Sequence, residues 1–161
     1  MYLASMPPSD PNRSAAEREV LGLAGRAGHM SLASVLDRLA SALQKGFPHY
    51  TGVYFYWLEG GEELRLRAYR GRPTEHVRIP IGQGICGRAV REKQTVTVDD
   101  VNADPAYLAC SLETRSEIVV PIMRGADVLG EIDIDSDVPA AFGREDRAFL
   151  EKLAVRIAEM A

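Results

Sequence analysis

Apolar positions change period along the chain, and each change marks an element. Leu32, Val35, Leu36, Leu39 and Leu43 recur at i, i+3, i+4, i+7 and i+11, one face of a helix that should start at Ser31. Gly46-Phe47-Pro48 stops it. Ahead of it, Ser14-Ala15-Ala16-Glu17 has the spacing of a capping box. A weaker stripe of Val20, Leu21, Leu23 and Ala24 follows, ending at Gly25 or Gly28. From Thr51 to Leu58 the run is aromatic and β-branched and reads as a strand. Glu59-Gly60-Gly61-Glu62 is a turn signal, and Leu64, Leu66 and Ala68 alternate with Arg65 and Arg67 as a half-buried partner strand.

Beyond Gly71-Arg72-Pro73 the pattern becomes irregular. Residues 77–80 form a short extended piece, Cys86 to Arg91 a short helix behind Gly82 and Gly84, and 95–98 a short strand. Asp99 to Arg115 lacks periodicity, and a loop of that length usually carries function. Ser116 to Met123 and Val128 to Asp135 make a second hairpin around Arg124-Gly125-Ala126-Asp127. Phe149, Leu150, Leu153 and Ile157 place a last helix over 144–160. Hairpin-joined strands flanked by helices predict an α+β layer architecture, a central antiparallel sheet with helices packed on it.

Composition adds boundaries. A chain of 161 residues suits a single domain with its own core. The proline-rich start predicts a flexible lead-in over residues 1–13, leaving 14–161 as the domain: helices at 14–46, the sheet and its site at 50–136, and the closing helix. A net charge of −4 with mixed signs argues against nucleic-acid or anionic-membrane binding. No apolar run is long enough to span a bilayer, and the first residues do not resemble a signal peptide, so a cytoplasmic location is expected. In a reducing compartment the two cysteines are more often inert or catalytic than a structural disulfide.

Cys86 and Cys110 invite two readings, small buried hydrophobes or a working redox pair. A helix start at Cys86 would lower its thiol pKa through backbone N–H groups. Ala109 and Ser111 beside Cys110 leave room for a substrate. Glu131, Asp133 and Asp135 share one strand face, with Ile132 and Ile134 on the other. That pattern is either a solvated face or an acid wall. Glu117 joins the aspartates only if the second hairpin has an odd loop or a bulge, because a regular two- or four-residue turn sends it to the isoleucine side. If the acids gather, at least one should have a raised pKa and act as a proton donor. Metal ligation by Cys86, Cys110 and His76 has no zinc spacing behind it, and no metal or other cofactor is expected.

Ile79-Pro-Ile-Gly-Gln-Gly-Ile-Cys86-Gly-Arg-Ala-Val90, Tyr107-Leu-Ala-Cys110, Ser116-Glu-Ile-Val-Val-Pro-Ile122 and Leu129-Gly-Glu-Ile-Asp-Ile-Asp-Ser136 resemble the free methionine-(R)-sulfoxide reductases, a family built on the GAF domain. The resemblance implies a GAF fold and thiol-dependent reduction of free L-methionine-(R)-sulfoxide. Cys110 falls on the attacking cysteine and Cys86 on the resolving one. Glu117, Asp133 and Asp135 fall on the pocket acids, and Tyr54 and Tyr50 on pocket aromatics. Thioredoxin is the implied reductant of a Cys86–Cys110 disulfide, and a homodimer the expected assembly. The chain departs from the family where His76 replaces a third cysteine and Tyr50 a tryptophan. The rival reading is a non-catalytic GAF module that binds a small ligand.

Overall fold

The computed structural model describes residues 10–105, 107 and 111–161. Two helices lead, α1 over Pro11–Gly25 and α2 over Leu32–Gly46. Strands β1 (Gly52–Glu59), β2 (Glu63–Gly71) and β3 (Arg78–Pro80) follow. Helix α3 (Gly84–Glu92) and strand β4 (Val96–Val98) lead to a single 3-10 turn at Val101–Ala103. The chain closes with β5 (Ser116–Arg124), β6 (Asp127–Ser136) and α4 (Arg144–Met160). The strands form one six-stranded sheet in the order β3-β2-β1-β6-β5-β4, antiparallel at each pairing. This is the expected α+β architecture.

Helix α1 starts earlier than the Ser14 capping box predicts. Asp10 is the N-cap, its Oδ1 accepting from Asn12 N at 2.9 Å, and Pro11 occupies the first turn, where its missing N–H costs nothing. Residues 10–13 therefore belong to the helix and not to a flexible lead-in. Arg13 anchors that turn, donating to Asp146 Oδ1 at 3.2 Å and lying over the Phe47 ring. For α2 the expectation holds: Ser31 caps it, and Val35, Leu36, Leu39 and Leu43 are buried.

Strand alternation sends side chains to two faces with different chemistry. Val53 and Phe55 of β1, Ile118, Val120 and Ile122 of β5, and Ile132 and Ile134 of β6 meet α1, α2 and α4 in the larger core. The intervening residues face the other way. There Tyr54, Tyr56 and Val119 pack with Cys86, Ala89 and Val90 of α3 and with Ile79 and Val98. Glu131, Asp133 and Asp135 fall on this second face, because Asp133 pairs with Tyr54 and Glu131 with Tyr56.

Candidate functional site

The β5–β6 hairpin decides whether the acids gather. Its turn is the two-residue Gly125-Ala126, with Gly125 in the left-handed region (φ 59°) where glycine is favoured. Continued regularly, that turn would set Glu117 across from Ile134. Instead the register shifts between Ile122 and Met123: Met123 pairs with Val128, but Ile122 pairs with Gly130. Leu129 is the bulged residue, and beyond it Glu117 pairs with Asp135 and Val119 with Asp133. The bulge required of this hairpin is present, and it turns Glu117 onto the acid face. Gly130 makes it possible, since a Cβ there would run into the Tyr56 carbonyl and the Trp57 ring.

Cys86 reaches the same place from α3, where it lies in the first turn. The helix packs closely because Gly87 carries no side chain; a Cβ would sit 2.9 Å from the Ile81 carbonyl carbon. The Cys86 thiol, 4% exposed, donates to Asp133 Oδ2 at 3.3 Å. Thr114 donates to Asp135 Oδ2 at 3.4 Å. Tyr54 donates to the Arg72 carbonyl at 2.6 Å and Tyr56 to the His76 carbonyl at 2.7 Å, tying the 72–76 segment over the cluster. Cys86, Glu117 and Asp133 line a small cavity with His76, Ile79, Gly84 and Ile85.

Glu117, Glu131, Asp133 and Asp135 are all at most 5% exposed, so none is solvated as a surface carboxylate would be. Both oxygens of Glu131, Oδ1 of Asp133 and Oδ1 of Asp135 lack a hydrogen-bond partner. Burial is the largest cause in each shift. It raises Asp133 to about 6, although hydrogen bonds with Glu117 and Cys86 and the nearby His76 pull the other way. It raises Asp135 well above the carboxylate range, with the Asp133 charge adding to it. Glu131 is likewise pushed well up by burial and Asp133; the Cys86 thiol lies near enough to oppose this, yet gives its hydrogen bond to Asp133. Burial therefore favours the protonated form at each of these three carboxyls.

Cys86 departs from the sequence reading. Burial, then the charges of Asp133, Glu131 and Glu117, drives its thiol pKa up instead of down. The first-turn N–H groups are overridden by a desolvated, acid-lined setting. Deprotonation of Cys86 must therefore be assisted, and Asp133 Oδ2 is the base in contact.

Tyr50 is placed elsewhere. It lies in the larger core, 1% exposed, stacked on Phe47 with ring centroids 4.7 Å apart, and its hydroxyl donates to Asp146 Oδ1 at 2.6 Å. It precedes β1 and packs on the helical face, so it does not wall the cavity lined by Cys86. Cys110 lies outside the described residues. Tyr54, Glu117, Asp133, Asp135 and Cys86 do come together. Glu131, which the alternation sets on the acid face, joins them, while Thr114 and Tyr56 are site neighbours that the sequence reading does not name. Period-two alternation places Tyr56 with Tyr54 and was the available signal, while Thr114 sits in an aperiodic loop that offered none.

A GAF domain family model matches residues 29–160. The free methionine-R-sulfoxide reductase of Escherichia coli (strain K12) is 33% identical over 131 residues, 81% of this chain and 78% of that protein. Among solved structures, the free methionine-R-sulfoxide reductase from Neisseria meningitidis in complex with its substrate superposes with a TM-score of 0.85 at 31% identity, covering 99% of this chain and 95% of that one. The type II free methionine-R-sulfoxide reductase from Thermoplasma acidophilum superposes with a TM-score of 0.78 at 43% identity, covering 80% and 91% respectively.

Proposed function

The chain belongs to the GAF-domain family, with free methionine-R-sulfoxide reductases among its relatives, and on that premise we propose that it reduces free L-methionine-(R)-sulfoxide to methionine. The observation that carries this reading is the Leu129 bulge. It sets Glu117 beside Asp135 and Asp133, with the Cys86 thiol hydrogen-bonded to the same cluster. A buried acid wall whose carboxyls are pushed toward their protonated forms, next to a thiol, suits reduction of an S=O bond better than passive ligand storage.

Each pocket residue has a role in this reading. An ionised carboxylate of the cluster takes the substrate ammonium group, and the face of Tyr54 supports the substrate. Cys110 attacks the sulfoxide sulfur while a protonated carboxyl of the Glu117–Asp133 pair protonates the sulfoxide oxygen. The Cys110 thiol proton replaces the one the carboxyl gave. The hydroxyl passes from the substrate sulfur to the Cys110 sulfur as the new sulfur–sulfur bond breaks, methionine leaves with the electron pair on its sulfur, and Cys110 keeps the oxygen as a sulfenic acid. Cys86 then gives its proton to Asp133 and attacks the Cys110 sulfur. A disulfide forms, and the hydroxyl leaves as water with that proton. A thioredoxin-type dithiol supplies the two electrons and two protons that restore both thiols. In this two-cysteine cycle Cys86 alone resolves the sulfenic acid. Cytoplasmic operation and a homodimeric assembly belong to the same proposal.

Purified protein with thioredoxin, thioredoxin reductase and NADPH should consume NADPH when free L-methionine-(R)-sulfoxide is added, and Cys110→Ser should abolish this. Absence of turnover with either sulfoxide epimer would leave a non-catalytic ligand-binding GAF module as the better account.

A further inference from the structure

We infer that Cys86, Glu117 and Asp133 form a binding site for one thiophilic divalent cation, with zinc the ion whose chemistry fits. One ligand atom from each residue lies within 4.8 Å of the other two, and all three side chains are buried. Asp133, 1% exposed, has its Oδ1 without a hydrogen-bond partner while its Oδ2 contacts the thiol. All three residues line a cavity of about 10 Å³, room for one water-sized species.

The donor set selects the ion. Calcium and magnesium take oxygen ligands at higher coordination and gain nothing from a thiolate. A thiolate with two carboxylates suits a borderline-soft dication, and three protein ligands leave a fourth tetrahedral position to water. These are not the three residues considered from the sequence, since Glu117 and Asp133 reach Cys86 only through the β5–β6 register. On entering, the cation takes the place of the thiol proton, which passes to solvent. No redox step is involved. If Cys86 is the resolving thiol, zinc occupancy also withdraws it from the disulfide cycle; the metal site itself stands on geometry and not on the reductase reading.

The test reads the metal and not turnover. Reduced protein under anaerobic conditions is titrated with Co2+, and zinc affinity is then measured by competition with a chromophoric chelator. One equivalent of Co2+ should produce a thiolate-to-cobalt charge-transfer band in the near ultraviolet. Cys110→Ser should retain the band and Cys86→Ser should lose it. Loss of an outer partner alone weakens metal sites by about 10- to 100-fold, so Asp133→Asn and Glu117→Gln should each weaken zinc by at least roughly tenfold. Circular dichroism checks that each variant is folded. No band, a band that follows Cys110 instead of Cys86, or unchanged zinc affinity in both folded carboxylate variants would overturn the site.

Discussion

Asp133 sits where burial, Glu117, the Cys86 thiol and His76 all act on one carboxyl, and its consequences can be measured. Its pKa is raised from 3.8 to about 6, so its neutral form contributes stability that is complete below 3.8 and lost as pH rises through 6. Asp133→Asn abolishes that loss. The variant should be more stable than the parent at pH 7.5, by roughly 1–3 kcal/mol, and should lose most of its turnover. Thermal unfolding at pH 5 and 7.5 checks this, and equal pH dependence in both proteins would contradict it. Asp146 runs the opposite way. Burial acts to raise it, but hydrogen bonds with His49 and Tyr50 and the Arg13 charge outweigh that and bring it to about 2. Its ionised form contributes stability above pH 3.8 that is lost as pH falls through 2. Tyr50→Phe removes the 2.6 Å hydrogen bond to Asp146 and should cost about 1–3 kcal/mol in denaturant unfolding, with kcat/KM unchanged. A tenfold fall in kcat/KM would return Tyr50 to the substrate pocket. The motif position of Tyr50 did not reveal its face, because it precedes the strand whose alternation would have set it.

At the level of elements, the β5–β6 hairpin was legible as a conditional statement. Period-two alternation set Glu131, Asp133 and Asp135 on one face, and turn arithmetic showed that Glu117 needed one extra residue to join them. What the pattern did not reveal was the residue that would be extra. That depends on Gly130, where β1 approaches too closely for a Cβ. Gly130→Ala should therefore disturb the bulge, cost roughly 1–3 kcal/mol, and reduce turnover beyond what the folded fraction accounts for. Wild-type hydrogen-exchange protection along β5 in this variant would argue against that role. Helix α3 carries the opposite lesson. Its start near Cys86 was readable from the double glycine, but the thiol pKa was not. The acids that reverse it come from β5 and β6, far away in sequence. Helix α1 began early for a local reason that was readable, an aspartate followed by proline.

Over the whole molecule the two faces of the sheet divide the work. Three helices bury an aliphatic and aromatic core on one side, while the other side holds buried carboxyls with unmet hydrogen bonds. Stability comes from the first and is given up at the second, a pattern expected of a functional site. Leu39→Ala, at a fully buried α2 position, should cost about 2–5 kcal/mol while leaving kcat/KM of the folded enzyme intact, as denaturant titration and initial rates will show. The central claim is that this acid-lined face and the two thiols form one redox centre. A single-turnover reaction without reductant tests it most directly, with methionine quantified and the thiols mapped by mass spectrometry. Addition of free L-methionine-(R)-sulfoxide to reduced protein should release one methionine per chain and leave a Cys86–Cys110 disulfide, and the S epimer should do neither. Absence of methionine with both thiols still free would contradict the account.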